Sequence, residues 1–254
     1  MKGDNPLHNI IRTLFSGIVS LFLVFSLWGE EKDVTSNKWS GDASIAIALV
    51  RGNADTANFS LTLSAKGSLS RLMSIANRAF FLSSKAKDIT NAESMGLESQ
   101  IHWNHTARIF SYFNITGLRD RFKNLSYRIF PVIGVGYKVI VSQKIQFSLR
   151  SGILEVFTRY YDSGETDSFT GIALGDQFTW KISESAEITQ ALNVEANLSQ
   201  LSHYFLRYEM ILSSAITKGL SVNITLMDYY DNKPIGEGIK KNDISFLAGL
   251  SAKF

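Results

Sequence analysis

Three histidines stand late enough in the chain to be considered for catalysis: His102, His105 and His203. His203 follows Ser199 and Ser202 in NLSQLSHYF. A histidine that takes a serine proton makes a nucleophile for acyl transfer, and beside a membrane that chemistry would be lipid ester hydrolysis. The Gly-x-Ser-x-Gly elbow that exposes such a serine is missing. No histidine–carboxylate spacing of the zinc-hydrolase kind occurs. The segment DNKPIGEGIKKND carries Asp231, Glu237 and Asp243, but not at the alternating positions of a calcium loop. The chain has no cysteine, so thiolate chemistry, disulfides and cysteine metal sites are excluded. These residues predict no catalytic, cofactor-binding or metal site. The formal charge is +3 and no arginine-rich block is present, so no nucleic-acid partner is expected.

The other residues able to do chemistry are charged, and they share one phase of a period-two pattern. They are Asp42, Lys66, Glu98, Arg128, Lys138, Arg150, Glu187, Glu195, Arg207, Glu209 and Lys253. Alternation with period two puts successive side chains on opposite faces of a strand. Phe59, Leu61, Leu63 and Ala65 therefore oppose Ser60, Thr62, Ser64 and Lys66. Likewise Leu125, Tyr127, Ile129, Ile133, Val135, Tyr137 and Val139 oppose Arg128, Gly134, Gly136 and Lys138. Twelve strands follow: 39–51, 57–66, 70–83, 94–104, 107–118, 125–141, 144–160, 167–181, 185–198, 203–216, 219–230 and 242–254. The third and fifth alternate poorly.

Many of these runs reach the ~9–11 residues of a tilted membrane-crossing strand. Trp39, Trp103 and Trp180 gather at one set of strand ends. Phe80, Phe81, Tyr160, Tyr161, Tyr204, Tyr229 and Tyr230 gather near the other. Two aromatic girdles around an apolar band belong to a membrane-spanning, antiparallel, up-and-down β-barrel. Connections at the tryptophan end are short, such as NHT and TKG, which marks it as periplasmic. Longer charged segments, among them KAKDITNAES and DNKPIGEGIKKND, read as outer loops; GNADT is a tight outer hairpin. Asp176 breaks the apolar outward rule. Pro131, inside a strand, suits a bulge or an edge.

Residues 1–29 combine Lys2 and Arg12 with a short apolar run, Leu14 to Trp28, and predict a cleaved signal peptide. A lead over 30–38 and a barrel over 39–254 complete the chain. The last strand places Phe246, Ala248, Leu250, Ala252 and Phe254 on one face and ends on an aromatic. That matches the C-terminal signal that bacterial outer-membrane barrels present to the barrel-assembly machinery. The expected location is the bacterial outer membrane, the expected partners are its lipid and that machinery, and the default state is a monomer.

Three segments taken in order resemble a family of bacterial outer-membrane proteins of unknown function described as salt-induced. They are WSGDASIAIALVRGNADTANFSLTLSA, then RIFSYFNITGLRDRFKNLSYRIFPVIGVGYKV with its Gly134-x-Gly136-Tyr137 step, then LMDYYDNKPIGEGIKKNDISFLAGLSAKF. The resemblance implies a barrel and carries no reaction.

Charges pointing inward predict a lumen lined by both signs, hence a narrow passive channel for small polar or ionic solutes. The alternative is a filled lumen in a structural or surface-interaction protein. A more distant one is an outer-membrane lipid hydrolase using His203.

Overall fold

The computed structural model describes residues 39–51, 56–86, 89–121, 123–234 and 239–253. They form twelve strands: β1 (Ser40–Arg51), β2 (Thr56–Ser68), β3 (Met73–Ala86), β4 (Ile89–Asn104), β5 (Ile109–Asp120), β6 (Leu125–Val141), β7 (Ile145–Tyr160), β8 (Thr166–Lys181), β9 (Ala186–Asn197), β10 (Tyr204–Ala215), β11 (Leu220–Asp231) and β12 (Asn242–Lys253). Each strand pairs antiparallel with its sequence neighbours, and β1 pairs with β12 to close the sheet. The signal peptide, the GNADT hairpin and Phe254 fall outside the described residues, wholly or in part.

The two faces of this sheet invert the pattern of a soluble protein. Outward side chains are apolar and exposed, with Ile47 at 72%, Ile133 at 66% and Leu97 at 60%. Inward polar groups are buried, with Arg128 and Glu195 each at 6%. Lipid rewards that arrangement and water does not. On β12, Phe246, Ala248 and Leu250 all face outward and exposed. Trp39, Trp103 and Trp180 stand half-exposed at the end with the short turns.

Five short connections share one construction. Ser70, Thr106, Ser183 and Thr217 each accept the N–H groups two and three residues ahead through Oγ. Ser142 accepts from Ile145 at 2.8 Å. The main chain doubles the closure, with Thr106 N–H and His105 N–H both donating to Ile109 O. A hydroxyl three residues before an apolar strand start is thus a repeated local stop signal.

Several positions depart from the sequence reading. Segment 85–93, expected as loop, is mostly strand: β3 runs to Ala86 and β4 begins at Ile89, with Lys85 opposite Thr90 beyond a bulge at Ser84/Lys85. Phe80, Tyr160 and Tyr229 belong to the lumen rather than to the outer girdle. Phe80 sits opposite Thr62 and Gly96, both inward positions. A bulge between Leu125 and Tyr127 turns Leu125 inward, where it is 2% exposed. Period-two counting cannot see an inserted residue. Pro131 occupies neither a bulge nor an edge. It pairs with Ile115 of β5, while the β6–β7 register runs unshifted from Ile129↔Phe157 to Val132↔Leu154.

Asp176 does point outward, opposite Leu149 and Leu192, and its Oδ1 is buried without a hydrogen-bond partner. An uncompensated carboxyl group in the apolar band costs stability. Asp176→Leu should therefore raise the barrel's unfolding free energy by up to about 2 kcal/mol, read from urea unfolding in lipid vesicles. Thr106→Ala should lower it by about 1 kcal/mol in the same assay, the net worth of a turn hydrogen bond.

Candidate functional site

The lumen is the site, and its two halves differ. Strands β5–β8 supply bulk. Phe110, Tyr112, Phe130, Val132, Leu154, Val156 and Phe169 are buried together with Phe205 of β10. Sequence reading missed this apolar inner cluster because it assigned the inward face to polar residues. A signal was present in the glycines. Phe110 lies opposite Gly136, Tyr112 opposite Gly134 and Phe80 opposite Gly96. A Cβ on Gly134 would come within 2.8 Å of the Tyr112 ring, and one on Gly136 would run into the Phe110 ring. Each of these three glycines is the space into which a neighbouring ring folds.

Arginines thread this aromatic half. Arg128 donates to Thr158 Oγ1 at 3.0 Å and to Tyr229 OH at 2.6 Å, and its guanidinium lies 4.5 Å from the Phe205 ring centre. Arg207 pairs with Glu195 and lies 4.8 Å over Phe130. Arg150 donates to Asn193 and lies 5.8 Å over Tyr112. Cation–aromatic contacts of this kind gain strength where water is excluded. Glu98 accepts from Asn114 at 2.9 Å. Lys138 donates to Asn104 at 2.7 Å.

Besides Arg128–Tyr229, which joins β6 to β11, an ion pair crosses the lumen. Arg78 of β3 makes a two-point bridge to Glu209 of β10, at 2.8 and 2.6 Å. Their side chains keep 30% and 24% exposure. Sequence reading placed Glu209 among the lining residues and left out Arg78, because β3 alternates poorly. The physical cause is that β3 puts Phe80, as well as Arg78, on its inner face. Asp42 faces Lys253 at the short-turn rim, and Lys66 faces Ser40 and Ala76 there. A cavity of about 310 Å³ at that rim is lined in part by Lys66, Ser74, Gln100 and His102.

The histidines are held as packing groups. His102 stacks on Phe110 at 4.9 Å, and His105 bonds Ser111 at 2.7 Å. His203 lies between Phe169 and Phe205, at 5.6 and 5.2 Å, and 3.9 Å from Asp231. Burial by those rings pushes its pKa below the usual imidazole range, against the pull of Asp231. Among the described residues no hydrogen bond joins His203 to Ser199 or Ser202. Ser202 instead accepts from Lys233 Nζ at 3.1 Å. No group of three or more metal-ligating side chains is assembled among the described residues.

The glycine–ring fit gives a direct test. Gly136→Ala should destabilise the barrel by about 1–3 kcal/mol, the cost of overpacking. In a Phe110→Ala background Gly136→Ala should cost much less, and a double-mutant cycle by urea unfolding measures that coupling.

Solved structures share this architecture. A NanC porin superposes with a TM-score of 0.56 at 10% identity, covering 84% of this chain and all of that one. A KdgM porin superposes with a TM-score of 0.50 at 9% identity, covering 84% and 99%. Identities this low carry the fold alone. No curated protein matches the sequence. Residues 43–254 match the family described as "Protein of unknown function, DUF481", and the chain belongs to that family.

Proposed function

We propose that this barrel is a narrow passive channel of the bacterial outer membrane for small polar or ionic solutes. The observation that carries the reading is the asymmetry of the lumen. The Arg78–Glu209 bridge is a chord from β3 to β10. On one side lie β4–β9, filled by rings and arginines. On the other lie β11, β12, β1 and β2; β11 and β12 turn Met227, Tyr229 and Leu247 inward, while the inward positions of β1 and β2 include Ser44, Ala46 and Thr62. Side chains this short leave room for a path that the packed half does not. Lumens of twelve strands lie between those of ~8 strands, which side chains fill, and those of 16, which stay open. The porin architecture is consistent with this reading, as is an orientation with the short turns in the periplasm.

A filled lumen, and so a structural or surface role, is favoured by one specific fact: Arg128 and Glu195 are almost wholly buried. Planar-bilayer recording separates the two readings. A channel should show discrete current steps. Glu209→Ser, which cuts the chord, should enlarge them, and Thr62→Trp should shrink them. Absence of any current in wild type and in Glu209→Ser would sink the channel reading and leave the filled barrel.

A further inference from the structure

We infer that a second copy of this chain docks against the outward face of β8 and β9, where Asp176 and Gln190 form a self-complementary polar patch. Asp176 lies opposite Leu149 and Leu192, and Gln190 opposite Phe178 and Met210. Gln190 is two residues from Leu192 on β9, so the two polar groups are diagonal neighbours on the outer wall. Both sit inside the tryptophan girdle. Asp176 is four residues from Trp180 along β8, about 13 Å of strand length in from that rim. Its Oδ1 is buried without a hydrogen-bond partner. The Gln190 side chain bonds to none of the described residues either. Other outward polar groups differ. Glu155 accepts from Thr170 at 2.7 Å and is met locally, and Asn77 of β3 stands opposite the Ser99 hydroxyl.

Lipid tails offer neither donor nor acceptor, and no water reaches that depth to replace them. An acceptor beside a donor on one wall is answered by the same wall turned through a two-fold axis along the membrane normal. The carboxyl of one copy then accepts from the Gln190 amide of the other, and symmetry supplies the reverse bond, so one patch serves both sides. Such an axis also keeps both short-turn ends on the same side of the bilayer. Polar side chains buried between membrane segments hold them together in this way, with van der Waals packing around them. Here Leu174, Phe178, Leu192 and Met210 supply the apolar surround, and Leu174 is 52% exposed in the single barrel. In a single barrel the Asp176 carboxyl is uncompensated; in the pair it is met. One substitution therefore acts in two directions: Asp176→Leu stabilises the barrel and dissociates the pair. The outer wall is the same whether or not the lumen conducts, so the pairing stands apart from the channel reading.

The chain has no cysteine, so a single introduced one reports contact between copies without background. In phosphatidylcholine vesicles Leu192→Cys, on the β9 wall, should give a disulfide-linked dimer under a mild copper oxidant. Leu61→Cys, outward on β2 on another side of the barrel, should give far less. Energy transfer between copies labelled at Lys218→Cys, in the turn after β10, measures association itself. Asp176→Leu and Gln190→Leu should each weaken it by about tenfold. Asp176→Asn, which keeps an acceptor, should retain most of it, and Asn77→Ala should leave it unchanged. Asp176→Leu should lose association while gaining the barrel stability expected above, a combination that misfolding does not produce. Equal cross-linking at Leu192→Cys and Leu61→Cys would overturn the pairing, as would association unmoved by Asp176→Leu and Gln190→Leu. So would a wild type with no transfer above random encounter, which would leave the carboxyl to be met by lipid headgroups around a single barrel.

Discussion

Everything in this barrel depends on the ladder between β1 and β12. In lipid there is no water to satisfy backbone N–H and C=O groups, so a sheet that crosses the bilayer must have no edge. The pairing from Asp42↔Lys253 to Arg51↔Ile244 removes the last one. Once the sheet is closed, each residue has only two destinations. Alternate side chains meet lipid or meet one another across the lumen, and no third surface can take a misplaced charge.

That constraint explains the interior. Ionised groups on the inner face cannot all reach bulk water through so narrow a bore, so they find partners inside. The Arg78–Glu209 bridge spans the lumen, and the arginines of β6, β7 and β10 lie over rings from β5, β6 and β10. Rings on the inner face would clash with the opposing wall unless something yields. The yielding positions are glycines on the neighbouring strand: Gly96, Gly134 and Gly136. The result is a lumen packed along β4–β9 and lined by short side chains along β1 and β2. Function, on our reading, follows the shorter side.

Local chemistry decided the hairpins almost independently of this. Five short turns each place a serine or threonine hydroxyl where it can accept N–H groups at the start of the next strand. Because the motif needs only residues near in sequence, it repeats wherever the sequence repeats, from Ser70 to Thr217. Asp176 shows the opposite case, a residue whose local setting is acceptable in a strand and whose environment, once the barrel closes, is apolar lipid.

Period-two alternation in runs such as Phe59–Ala65 and Ile244–Ala252, with tryptophans at one set of strand ends, was enough to determine twelve strands, a closed membrane barrel and the inward side for Glu98, Arg128, Arg150, Glu195, Arg207 and Glu209. These are properties of neighbours along one strand, and the backbone geometry of a strand fixes them. Tertiary structure alone decided that Arg78 meets Glu209, that Leu125 turns inward at a bulge, that Phe80, Tyr160 and Tyr229 leave the girdle for the lumen, and that the bulk gathers on one wall. Those outcomes depend on register between strands and on which strands face each other across the bore. Registers are summed around a closed ring, so a single inserted residue or one glycine opposite a ring changes what meets what, and no one strand contains that information.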